Sequence, residues 1–246
     1  MTTLVEAVDA ILHAQVATRK PLAIVLAGHN GSGKSTLWYR LLADRFQLPL
    51  VNADRMMLSV LPDPGEDGHL IPWAGALRDT HRGWMAVAQQ GVQAFVGHAL
   101  GAQVPFAMET VFSHWREADD GRIESKIDLI RDMQVAGYFV LLLFVGLESP
   151  ELSILRVQSR VAAGGHTVEE STLRRRFPRT QKAISEAIHV ADASIMTDNG
   201  RSPSQAFTVC RVQVNAAAVY DIREGGKPVP DGIAAWMSVV CPRGGA

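Results

Sequence analysis

The sequence predicts an α/β fold of three layers, with a mostly parallel central sheet covered by helices on both faces. Three observations lead there. Short apolar runs alternate with amphipathic stretches of helical length along most of the chain. The clearest runs, Leu22 to Ala27 and Tyr138 to Val145, show no polar alternation, as expected of strands buried on both faces. The first run passes directly into Gly28-His29-Asn30-Gly31-Ser32-Gly33-Lys34-Ser35-Thr36, which fits G-x-x-x-x-G-K-[ST].

That stretch lies between a predicted strand and a predicted helix, the context a phosphate-binding P-loop (Walker A) requires. Gly28, Gly31 and Gly33 can take backbone angles closed to other residues and let main-chain N–H groups reach a phosphate. The helix N-terminus adds partial positive charge. Lys34 can reach the β- and γ-phosphates of a nucleotide, and the Ser35 hydroxyl can ligate magnesium. The glycine positions do not match the dinucleotide pattern G-x-G-x-x-G.

Taken in order, residues 2–19 read as a helix with Leu4, Val5, Val8, Ile11, Leu12 and Val16 in one apolar stripe. The first strand and P-loop follow, then a helix from Leu37 to Arg45 with Leu37, Leu41 and Leu42 at helical spacing. Leu48 to Asn52 is a short strand with Asp54 just past its carboxyl end. Residues 61–72 hold three prolines and two glycines and read as a surface loop or mobile flap. Gly83 to Leu100 is a helix ended by Gly101, with Val87, Val92, Phe95, Val96 and Leu100 as core candidates. Val104 to Met108 is a strand running into Glu109-Thr110. Ile123 to Ala136 is a helix stopped by Gly137, before the strand Tyr138 to Val145. Ser149 caps and Pro150 starts a helix to about Ala163, broken at Gly164-Gly165. A second helix runs from Glu169 to Val190, and Ser194 to Met196 is a last strand. Phe207 to Val209 and Val212 to Tyr220 read as an antiparallel addition in a C-terminal β extension, about 206–246. No linker divides the chain, so residues 1–246 are expected to form one domain.

Composition narrows the function. Hydrophobic residues at 47% are ample for a core. With 24 basic and 25 acidic residues the net charge is −1, which argues against nucleic acid or an anionic membrane as main partner. Cys210 and Cys241 form no metal or redox motif and suit a reducing compartment. No apolar run approaches the ~20 residues of a membrane span, and no signal peptide precedes the first helix. A cytoplasmic protein is expected.

Four features converge on the carboxyl edge of the predicted sheet, where ligands of open α/β sheets gather. They are the P-loop, Asp54, Glu109-Thr110 and an arginine-rich segment, about 156–180. That segment holds Arg156, Arg160, Gly164-Gly165-His166, then Arg174-Arg175-Arg176 and Arg179: helix, glycine hinge, second helix, the layout of a lid. Arginine stabilises a transferring phosphoryl group without deprotonating, and a lid excludes water. A solvated basic face paired with Glu151, Glu169 and Glu170 is the plainer alternative. Asp54 suits general-base work on an attacking hydroxyl or water-mediated magnesium binding. Glu109 and Thr110 suit hydrogen bonds to substrate hydroxyls, or a strand-end capping role.

With these pieces in order from about residue 22 to 200, the chain resembles the zeta-toxin family of P-loop kinases. The matching stretches are the P-loop, Asn52-Ala53-Asp54, Glu109-Thr110, Arg156-Val157 with Arg160-Val161, Gly164-Gly165-His166-Thr167-Val168, and Arg174-Arg175-Arg176-Phe177. The resemblance implies a kinase-like P-loop NTPase fold, ATP or GTP as donor, and Mg2+. It implies phosphorylation of a sugar hydroxyl of UDP-N-acetylglucosamine, and a small helical antitoxin as candidate partner. It puts Asp54 at the catalytic-base position and Glu109 and Thr110 against substrate. Arg160 and Arg176 fall at the phosphate-clamping positions, with Arg175 an alternative for the second. The proline-rich loop 61–72 has no counterpart in the resemblance. The rival readings are a kinase for another small hydroxylated acceptor, such as an antibiotic or nucleoside, and a nucleotide-hydrolysing switch.

Overall fold

The computed structural model describes residues 2–243 except Arg122 and Ala216, and only the backbone of Arg82. Residues 244–246, the end of the expected C-terminal extension, lie outside the described residues. The elements run α1 (Leu4–Thr18), β1 (Leu22–Gly28), α2 (Lys34–Leu37), a π turn (Trp38–Leu42), α3 (Ala43–Phe46), β2 (Leu50–Val51) and α4 (Ala53–Leu58). Then come α5 (Pro72–Thr80), α6 (Arg82–Ala102), β3 (Phe106–Thr110), β4 (Trp115–Glu117), β5 (Ile123–Ser125) and α7 (Ile127–Val135). The chain closes with β6 (Phe139–Gly146), α8 (Pro150–Ala162), α9 (Glu170–Ala187), β7 (Ala193–Asp198), β8 (Thr208–Val214), β9 (Ala217–Asp221) and α10 (Asp231–Val240).

Seven strands form one sheet in the order β2-β3-β1-β6-β7-β8-β9, parallel through β7 and antiparallel at β8 and β9. The predicted fold class therefore holds. Every residue of β1 and β6 is buried, because successive side chains enter cores on opposite faces. Ala23, Val25, Val140, Leu142 and Phe144 face α6, α7, α9 and α10. Ile24, Leu26, Leu141 and Leu143 face α1 and the helix that follows the P-loop.

Several expectations need correction. In α1 the stripe turns: Ala7, Val8 and Ile11 are buried, whereas Val5 and Val16 lie exposed at the stripe's edge. Leu41 is exposed because the π turn adds a residue and rotates it off the core. Val87 is exposed, and Gly101 does not end α6, which continues to Ala102 and stops at left-handed Gln103. Residues 123–125 pair with β4 as a hairpin strand instead of opening a helix. The C-terminal strands do form an antiparallel hairpin, but its bounds are β8 and β9, with a register shift between Val212 and Gln213, and α10 follows it. α10 buries Ile233, Trp236, Met237 and Val240 on the sheet. Residues 61–71 contain no helix or strand, as expected, and α5 starts at Pro72, a residue suited to a first helical position. Among the described residues no helix is long and apolar enough to cross a membrane.

Candidate active site

β1 delivers the phosphate loop at the middle of the sheet, between β3 and β6. Gly31 and Gly33 have φ of +70° and +90°, left-handed values that favour glycine. Space is short as well: a Cβ on Gly33 would lie 2.6 Å from Asn199 Nδ2, and one on Gly31 3.0 Å from the Ser153 carbonyl. Distant side chains hold the loop. Ser153 Oγ donates to the Asn30 carbonyl at 2.7 Å, and Asn199 Nδ2 donates to the Ser32 carbonyl at 2.8 Å. His29 stacks on Phe177 of α9 at 3.8 Å and meets the edge of Phe144 at 5.8 Å. Its ring nitrogens are buried without partners, and burial pushes its pKa down to about 3, so the ring is neutral.

The Lys34 ammonium is buried and donates to the Gly28 and His29 carbonyls at 3.1 and 2.9 Å. Burial lowers its pKa; the charges of Glu109 and, less, Asp54 act in the opposite direction. The Glu109 carboxylate lies 3.9 Å from Lys34 Nζ. It accepts from the Ser35 hydroxyl at 2.9 and 3.1 Å and from Asn52 Nδ2 at 2.7 Å. Glu109 thus stands at the end of the strand beside β1, against the hydroxyl expected to ligate magnesium. The signal was present in the sequence: Phe106-Ala107-Met108 is an apolar run ending in an acid. A hydroxyl and a carboxylate are hard oxygen donors, the set magnesium takes when phosphates and water complete its shell. Two further oxygens of the loop, Ser32 Oγ and Asn30 Oδ1, are buried and unpartnered. The residues present therefore fit a magnesium nucleotide.

Asn52 caps α4 by accepting from the Asp54 and Arg55 N–H groups. Asp54 consequently sits exposed in the first turn of a helix rather than in a loop. Thr110 Oγ1 accepts from Phe112 N at 3.2 Å, at a turn where Phe112 has φ of +63°. Its hydroxyl serves the end of the strand.

The arginines divide by environment. Arg174 pairs at the surface with Glu151 and Glu170, as the solvated-face alternative has it. Arg175 donates to Thr172 Oγ1 at 3.3 Å. Arg176 is half-buried; burial and Arg175 push its pKa down while Asp54 acts against them. The Arg160 charge opposes protonation of Lys34, and its Nη2 donates to the His166 carbonyl at 2.9 Å. Arg156 of α8 lies over Gly31, half-buried. The structure joins Lys34, Ser35 and Glu109 by direct contact, and the charges of Asp54 and Arg160 act on Lys34. Ser153 and Asn199 were missed, and Phe177 was named only as part of the arginine stretch, since nothing local marks a residue that reaches the loop from a different element.

No family model matches the chain. It is 26% identical over 155 residues to a Haemophilus influenzae protein described as uncharacterised, covering 63% of this chain and 91% of that one. Among solved structures it is similar to one from the PezAT chromosomal toxin–antitoxin system of Streptococcus pneumoniae. That likeness has a TM-score of 0.53 at 15% identity and covers 97% of this chain and 88% of that one. It is also similar to a chain of the AvrRxo1-ORF1:AvrRxo1-ORF2 structure with sulphate ions, with a TM-score of 0.59 at 13% identity over 96% of this chain and 70% of that one. A structure of that complex with ATP matches at a TM-score of 0.56 and 12% identity, covering 96% of this chain and 70% of that one. At these identities the likeness is one of fold: the chain shares the α/β fold of these structures.

Proposed function

We propose that this protein is a magnesium-dependent kinase that transfers the γ-phosphoryl group of ATP or GTP to a hydroxyl of a small acceptor. UDP-N-acetylglucosamine is the leading acceptor. The observation that carries the reading is the contact of the Glu109 carboxylate with Lys34 and Ser35 of the phosphate loop, and the charges of Asp54 and Arg160 acting on Lys34 support it. The similar AvrRxo1 complex with ATP and the toxin–antitoxin origin of the PezAT structure support it.

The P-loop N–H groups and Lys34 hold the phosphates of the donor. Ser35 and Glu109 would hold magnesium, which when bound neutralises charge on the β- and γ-phosphates. Asp54 accepts the proton of the acceptor hydroxyl as its oxygen attacks the γ-phosphorus, and the nucleoside diphosphate leaves. Arg160 and Arg176 stabilise the charge on the transferring group. Thr110 and the 110–114 turn border the acceptor side. A helical antitoxin that covers this edge would block both substrates.

The test is mass spectrometry of products after the protein meets Mg-ATP and UDP-N-acetylglucosamine, then a panel of nucleosides and aminoglycosides. A phosphorylated acceptor, absent with Asp54→Ala, is the expected result. Acceptor-independent release of phosphate alone would favour the switch reading instead.

A further inference from the structure

The segment between Val60 and Thr80 has no part in the phosphate cradle, yet it touches the helix pair that carries Arg160 and Arg176. The Gly68 carbonyl approaches Gly164 so closely that a Cβ on Gly164 would collide with it, and Gly164 has φ of +84°. Ten residues on, the Arg78 side chain is only 10% exposed, and its Nη1 donates to the Gly164 carbonyl at 2.8 Å. The same guanidinium donates from Nε and Nη2 to the two oxygens of Asp79, at 2.8 and 2.9 Å. Asp79 Oδ1 lies 3.2 Å from His166 Nδ1. The contacts end at Arg160, whose Nη2 donates to the His166 carbonyl at 2.9 Å. Gly165 permits that fold-back, because a Cβ there would lie 2.6 Å from Arg160 Cγ.

A neighbouring arginine–aspartate pair adds little stability at a surface. Here its forked geometry does something else. Two donors of the guanidinium fix its plane on Asp79, and the third is left aimed at a hinge carbonyl. Asp79 meanwhile holds His166, two residues further along the same hinge. Both hinge contacts come from α5, which leads directly into α6, and α6 packs on α4, the helix that presents Asp54.

We propose that Arg78 and Asp79 are positioning residues for Arg160: they pin the hinge at residues 164–166 and so fix the carbonyl that aims the Arg160 guanidinium. The proposal deepens the kinase reading and rests on it, since there Arg160 acts on the transferring phosphoryl group. Neither Arg78 nor Asp79 need touch donor or acceptor.

Two readouts test it. The first needs no nucleotide: hydrogen–deuterium exchange at Ala163, Gly164 and Gly165, whose N–H groups bond to the Arg160 and Val161 carbonyls. Asp79→Ala and Arg78→Ala should each speed exchange there by about tenfold while leaving the β1 and β6 amides unchanged. Unchanged exchange at the hinge overturns the proposal. The second is a double-mutant cycle on affinity for Mg-ATP and Mg-ADP. Asp79→Ala should weaken ATP binding by about three- to tenfold, spare ADP, and add nothing further in an Arg160→Ala background. An equal, additive loss in that background overturns the link to Arg160. Wild-type protein that binds neither nucleotide would remove the kinase reading, and the exchange data would still decide whether the pair pins the hinge.

Discussion

The phosphate loop and the helix pair above it are built by opposite means. In the loop, position comes largely from the backbone: a fully buried strand, two left-handed glycines and the first turn of a helix shape nine residues of sequence, and Ser153 and Asn199 then tie down two of its carbonyls. In the helix pair, position comes from side chains that arrive from elsewhere. Arg160 is aimed by a carbonyl that is itself held through Arg78 and Asp79, some eighty residues away in sequence. His29 against Phe177 is one contact that joins the two regions directly. The lesson is that a binding cradle can take its shape locally and need only a few distant anchors, while the machinery that acts on its ligand is assembled almost wholly from afar.

The largest expected effect lies in the cradle. Lys34→Ala should weaken Mg-ATP binding and reduce transfer by about 10³-fold, measured by calorimetry and product formation. Gly33→Ala should do comparable damage, because the methyl meets Asn199 and the backbone angle is unfavourable. If either variant kept full affinity, the backbone account of the cradle would be wrong.

Asp54→Ala comes next and sharpens the contrast. It should leave ATP affinity within about twofold and lower transfer by about 10²- to 10⁴-fold. Glu109→Gln should raise the magnesium concentration needed for half-maximal ATP binding by about tenfold or more, read from titrations at several Mg2+ levels. A change in acceptor KM alone would return Glu109 to the substrate-contacting role that the sequence suggested.

The smallest effect concerns His29, at the junction. Its folded pKa of about 3 is depressed from 6.5, so below 6.5 the unfolded chain binds a proton that the folded chain does not. Stability contributed by the neutral ring is present above pH 6.5 and falls as pH drops toward 3, by at most about 1.4 kcal/mol per pH unit. His29→Phe keeps a ring for Phe177 and removes the titration. Urea unfolding at pH 7 and pH 5 should show a shallower acid loss in the variant; equal losses would mean that the buried imidazole does not contribute.

Legibility in the sequence follows the same division. The strands β1 and β6, the P-loop and the Ser149-Pro150 helix start were readable, because each rests on local pattern or backbone chemistry. The place of Asp54 beyond β2 was readable too, though its helix was not, since Asn52 supplies a cap that only a three-dimensional turn makes evident. The β4–β5 hairpin was hidden because each strand has three residues, too few for alternation to register. Leu41 and Val87 were misjudged because spacing alone does not say where a π turn or a helix edge rotates a side chain into solvent. Glu109 was placed correctly on the sheet edge, but its partners Ser35 and Asn52 come from two other elements. Arg78 and Asp79 gave no signal at all, for the same reason.

The measurement that bears most directly on the central claim is calorimetric titration of the wild-type protein with ATP, with and without Mg2+, beside Lys34→Ala. Magnesium-dependent binding at one site, lost in the variant, is the expected result. Wild-type protein that binds no nucleotide, or a variant that binds it as well, would contradict a phosphate loop at the centre of function.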